Sequence, residues 1–213
     1  MDDLIGQYRY PLYAYIRRRG FAHHDAEDAL HDFLAKLLRL GALEAADAEQ
    51  GRLRSYLCAA LGRFLANWRR DEARRINGAG ESVRDEADRD EVRYAKERFV
   101  DTDTPERIFE RKWGHALMAR VLARLEVRCE ERGKRTLFFA LNPVLQTGGS
   151  LRGHDAATIA AGLGMSEGAL RVALNRHLHE YRAVIEEEVL QTVGSREEVA
   201  GEIDYLHSLF QGR

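Results

Sequence analysis

Apolar residues recur in this chain at steps of three and four. From Leu53 they fall at Tyr56, Leu57, Ala60, Leu61, Phe64, Leu65 and Trp68. From Asp25 they fall at Ala26, Ala29, Leu30, Phe33, Leu37 and Leu40. Such spacing gathers one apolar stripe on a helix of about 3.6 residues per turn. No segment alternates apolar and polar residues in a β-branched run, and Ala, Leu, Arg and Glu, all good helix formers, dominate almost everywhere. The expected fold class is therefore all-α.

Helix punctuation divides the chain further. Tyr8 to Arg19 can form a first helix ended by Gly20, and Gly41 stops the helix that starts at Asp25. Between Arg70 and Asp103 apolar residues thin out and charges crowd together, the composition of a linker. Thr104-Pro105-Glu106 restarts helix with a threonine cap, proline at the first helical position and an acid near the positive helix end. That helix carries Ile108, Phe109, Trp113, Leu117, Val121, Leu122 and Leu125 up to a stop at Gly133, and Thr136 to Leu145 form a short one. In HDAATIAAGLGMSEGALRVALNRHLHEYR, helical patterns over Asp155 to Gly162 and Glu167 to Arg182 flank LGMS, with Ser166 placed to cap the second. Ala160, Gly164 and Leu170 stand where a helix-turn-helix needs a close crossing, a turn and a core plug. A helical hairpin with no DNA role fits the same pattern. The expected organisation is a helical domain over 1–77, a charged linker over 78–103, a second helical domain over 104–192 ending in the helix-turn-helix, and a helical extension over 193–213.

Charge and composition exclude several classes. The net charge of -2 and pI near 6.5 count against a protein that grips DNA unaided. The average hides segregation. Seven arginines stand against Asp71 and Glu72 between Arg52 and Arg75, and seven acids against Arg196 between Glu186 and Asp204. The acidic tail reads as a helix capping the second domain, or as a cover for basic surface. No apolar run approaches the roughly 18 residues of a membrane span, and MDDLIGQYRY lacks the order of a signal peptide, so a cytoplasmic location is expected. Cys58 and Cys129 have no Cys-x-x-Cys partner and read as small buried hydrophobes, and no cofactor is expected.

Residues 23–32 concentrate three histidines and four carboxylates. His24, Asp28 and His31 share one side of a helix, a spacing open to a metal and hence to a metal-dependent phosphohydrolase. That side lies opposite the apolar stripe, facing water, where an enclosed ligand shell is hard to build. A solvated helix face is the better reading.

DAEDALHDFLAKLL resembles the polymerase-docking helix of bacterial RNA polymerase sigma factors, whose usual form is DAED, then Gln-Glu and an aromatic. LRSYLCAALGRFLANWRR is similar to the promoter-melting helix that follows it, and the helix-turn-helix after a charged linker to the family's second domain. The order and spacing resemble the small two-domain, extracytoplasmic-function (ECF) type, including a TPER-led helix and a tail with EEE then Gln-Thr-Val. The resemblance implies a protein without catalytic chemistry, whose partners are core RNA polymerase and promoter DNA, with room for an anti-sigma factor. Asp25, Asp28, Asp32, Phe33, Lys36 and Leu37 would then dock on the polymerase. Arg63, Asn67, Trp68, Arg69, Arg70 and Arg74 would hold the melted strand, with Trp68 also placed on the apolar stripe as core. Ser166, Glu167, Arg171, Val172, Asn175 and Arg176 would read the major groove, and His177 and His179 would lend a weak phosphate grip. A stand-alone helix-turn-helix regulator, dimerising for affinity, is the alternative.

Overall fold

The computed structural model describes residues 2–40, 52–75, 84–97 and 103–211, with side chains described except at 2–5, 71–75, 84–88 and 211. Nine helices occur among these residues, and no strand does. They are α1 (Asp2–Arg18), α2 (His23–Arg39), α3 (Leu53–Arg75), α4 (Arg84–Lys96), α5 (Pro105–Glu131), α6 (Arg135–Gln146), α7 (Ala156–Gly162), α8 (Glu167–Leu190) and α9 (Glu198–Gln211). The regular structure of the described residues is all-helical, and no helix among them is long and apolar enough to cross a membrane. It divides into two compact units, Met1–Leu117 with Leu190–Arg213, and Met118–Val189.

The first unit is built on the stripes visible in sequence. Leu12, Tyr13 and Ile16 of α1, Leu30 and Phe33 of α2, and Leu57, Leu61 and Leu65 of α3 are buried. Each such side chain contributes roughly 1.5–3 kcal/mol. The Phe33 and Phe64 rings meet at 5.4 Å. α1 begins at Asp2, earlier than the expected Tyr8, and carries Pro11 in its interior. The missing backbone donor costs about 3 kcal/mol, which burial of the neighbouring Leu12, Tyr13 and Ile16 offsets. The first half of α5 enters the same core through Ile108, Phe109 and Trp113, whose indole N–H donates to the Tyr8 hydroxyl at 3.0 Å. Thr104 caps α5 as expected, its Oγ1 accepting from the Arg107 N–H at 3.2 Å.

Residues 84–96, inside the segment expected to link, form α4 and pack on α1. The Tyr13 hydroxyl donates to Glu91 at 2.6 Å, Arg17 pairs with Glu91 at 3.1 Å, and the Arg93 guanidinium lies 3.7 Å from the Tyr10 ring centroid. The acidic tail from Leu190 onward also belongs to this unit, rather than capping the second as expected. Glu202 is fully buried and accepts from Arg54 at 2.6 and 3.2 Å, while Arg52 pairs with it at 2.8 Å. A Cβ at Gly114 of α5 would lie 3.2–3.3 Å from Leu206, Leu209 and Phe210, so the glycine lets α9 approach closely.

In the second unit, Leu141 and Val144 of α6, Ala160 of α7, and Leu170 and Leu174 of α8 form one buried cluster. The link from α7 to α8 turns at Gly164, φ +64, a left-handed conformation that disfavours a side chain. Asp155 caps α7, accepting from the Thr158 N–H at 3.0 Å, and Ser166 caps α8, its Oγ accepting from the Ala169 N–H at 3.2 Å. α8 runs to Leu190, eight residues past the expected Arg182, because Val184, Ile185, Glu188 and Val189 are buried. Glu188 reads in sequence as solvated, yet it accepts from Arg120 at 3.1 Å and Arg124 at 2.6 Å.

Candidate functional site

α8 presents two unlike faces. Leu170, Leu174 and His177 point into the second unit, while Glu167, Arg171, Val172, Asn175 and Arg176 are exposed together with the capping Ser166. Val172 keeps 50% of its surface exposed in the middle of that polar face. Arg171 reaches Glu167 one turn away at 3.5 Å, a loose, exposed pair worth little to stability. The six residues expected to read a groove are thus all on the surface and available. His179 is exposed too, but His177 is not. It is 4% exposed and set edge-on to Phe138, so it cannot grip phosphate from there.

In the first unit, Asp25, Asp28, Asp32 and Lys36 form one exposed stripe along α2, at steps of three, four and four. Asp25 lies in the first turn, where the helix dipole favours a negative charge. Phe33 and Leu37, expected alongside them, belong to the buried stripe at 2% and 5% exposure, so they anchor the helix instead of lining its surface. On α3, Arg63, Asn67, Arg69 and Arg70 are exposed and Trp68 is half-buried; the side chain of Arg74 lies outside the described residues. Trp68 packs 5.7 Å from Phe21 and donates its indole N–H to Asp32 at 3.1 Å. That bond joins a residue expected to dock with one expected to hold DNA. Arg69 lies 4.3 Å from the centroid of the Phe21 ring and donates to the Arg19 carbonyl at 2.8 Å, and Arg70 donates to Asn67 at 2.6 Å. These contacts pre-order a cationic edge on α3.

Ligand atoms converge at one group among the described residues, and it is not the histidine cluster of α2. Cys129 of α5, with His177 and Glu180 of α8, brings its donor atoms within 4.8 Å of one another. Burial holds the His177 imidazole below its ordinary pKa, against a smaller opposing pull from Glu180, and pushes the Cys129 thiol up. The group was invisible in sequence because Cys129 stands 48 residues from His177; its one local trace is the i, i+3 step from His177 to Glu180. Glu202 escaped notice for a related reason, since nothing near it in sequence distinguishes a buried acid from a solvated one. Compared with known families, curated proteins and solved structures, the chain matches none.

Proposed function

We propose that this chain is an alternative sigma factor of the small two-domain ECF type, binding core RNA polymerase and directing it to promoters. The observation that carries the reading is the face of α8. Arg171, Val172, Asn175 and Arg176 stand exposed opposite the buried Leu170 and Leu174, on a helix capped by Ser166 and entered through the Gly164 turn. Arginine pairs bidentately with guanine and asparagine with adenine, while an apolar side chain can meet the thymine methyl.

The acidic stripe of α2 supports the second half of the reading. Asp25 and Asp28 are exposed and supply charge for steering onto a cationic partner, which raises on-rate and fixes orientation. The exposed Arg63, Arg69 and Arg70 would neutralise phosphates of the opened strand. A net charge of -2 fits a protein that reaches DNA with its polymerase better than one that binds alone. In this reading the chain performs no catalysis and works in the cytoplasm, its partners being the polymerase, promoter DNA and, in regulation, an anti-sigma factor.

The double variant Asp25→Lys, Asp28→Lys tests the docking role, because neither side chain supports the core. Co-purification with core polymerase should weaken about tenfold or more at low salt. Undiminished co-purification by a folded double variant would remove α2 from the docking surface.

A further inference from the structure

We propose that Cys129, His177 and Glu180 form a binding site for a divalent transition-metal ion of the zinc class, joining α8 to the second half of α5. The three residues offer one sulfur, one imidazole nitrogen and one carboxylate oxygen, all within 4.8 Å of one another. Cys129 Sγ stands 3.9 Å from His177 Nδ1. In a tetrahedral zinc site, with Zn–S about 2.3 Å and Zn–N about 2.0–2.1 Å, those two atoms sit about 3.6 Å apart. A shift of a few tenths of an ångström, within side-chain freedom, would bring them to ligating distance. A mixed sulfur, nitrogen and oxygen donor set suits zinc or cobalt, whereas magnesium and calcium want oxygens throughout.

Two further observations separate this group from a chance meeting of polar side chains. Cys129 is 2% and His177 4% exposed, so both ligands are withdrawn from water into an enclosed shell. Nε2 of His177 is buried with no hydrogen-bond partner, and Nδ1 has only the distant thiol. Buried imidazoles ordinarily satisfy their ring nitrogens, and a metal ion would take Nδ1, the nitrogen that faces the thiol. Glu180 is held by Arg132 through one carboxylate oxygen, which leaves the other to a cation and keeps the carboxylate oriented. Water completes a fourth position. On binding, the Cys129 thiol releases its proton to solvent and the sulfur lone pair forms the bond to the metal; no electron is transferred. The ligands Cys129 and His177 are buried whereas Arg171, Val172 and Asn175 are exposed, so the site does not depend on the proposed function.

Cobalt(II) titration of the purified full-length chain, without DNA or polymerase, tests this directly. The expected result is one cobalt per chain with a near-ultraviolet thiolate-to-cobalt charge-transfer band, which zinc removes by displacement. Cys58→Ala should keep the band and Cys129→Ala should lose it, with Cys129→Ser as the variant of closest shape should the alanine chain fold poorly. Glu180→Gln should weaken binding at least roughly tenfold. A wild-type chain that shows no band, or a band equally strong without Cys129, overturns the proposal. Because the titration involves neither DNA nor polymerase, failure here leaves the sigma-factor reading untouched.

Discussion

At the scale of single residues, the first unit is organised around a charge that sequence gives no reason to bury. Glu202 is fully enclosed, and Arg54, itself 4% exposed, divides its donors between Glu202 and Glu110 while lying 3.8 Å from the Tyr205 ring. Removing one partner of a buried pair leaves the other desolvated and unpaired, which costs about 3–5 kcal/mol. Glu202→Ala should therefore lower the unfolding free energy by about that amount in urea titration; a loss under about 1 kcal/mol would mean that Arg54 finds another partner. Cys58 and Tyr15 give a second test. Burial, helped by Glu106, pushes the Cys58 thiol from 9.0 up to about 12 and the Tyr15 phenol from 10.0 up to about 12. Both are held protonated to higher pH in the fold than in the unfolded chain. Their share of stability is therefore whole below pH 9 and lost as pH rises through about 12. The urea midpoint should fall between pH 9 and 12, less steeply in Cys58→Ala, and Cys58 should resist alkylation at neutral pH. Cys58 is partly rather than fully buried, so rapid alkylation at pH 7 would contradict the raised thiol pKa.

At the scale of elements, what could be read from sequence follows the physics of each contact. The stripes of α2 and α3, the Thr104 and Ser166 caps, the burial of Ala160 and Leu170 and the turn at Gly164 all rest on local spacing and are present in the structure, save that Leu40, read as the end of the α2 stripe, is 67% exposed. α4 was not legible as a packed helix because it meets α1 through Glu91, Arg93 and Tyr94, leaving no apolar period to find. The last two turns of α8 were hidden likewise, since Glu186-Glu187-Glu188 looks solvated until Arg120 and Arg124 are placed opposite. Phe33 and Leu37 show the converse error, being assigned to a surface while sitting on the core stripe. The exposed face of α8 carries the functional prediction at this scale. Arg171 is 65% exposed and only loosely paired, so Arg171→Ala should leave folding intact. It should cost about 1–3 kcal/mol of promoter discrimination, roughly tenfold or more in output from a matched upstream box. Equal output from matched and scrambled boxes would exclude base readout by that residue.

At the scale of the whole molecule, two compact units offer distinct chemistry: an acidic stripe with a cationic edge in one, and a mixed polar face in the other. The net charge of -2 gives the chain no overall basic excess of the kind that unaided duplex binding usually needs. Under the proposed function, a larger partner would supply affinity while this chain supplies specificity. Run-off transcription by core RNA polymerase, with and without the purified chain, measures that dependence most directly. Discrete new start sites are expected when both are present, with weak, salt-sensitive duplex binding by the chain alone. Tight sequence-specific binding by the free chain, with no start sites added to the polymerase, would contradict the proposed function.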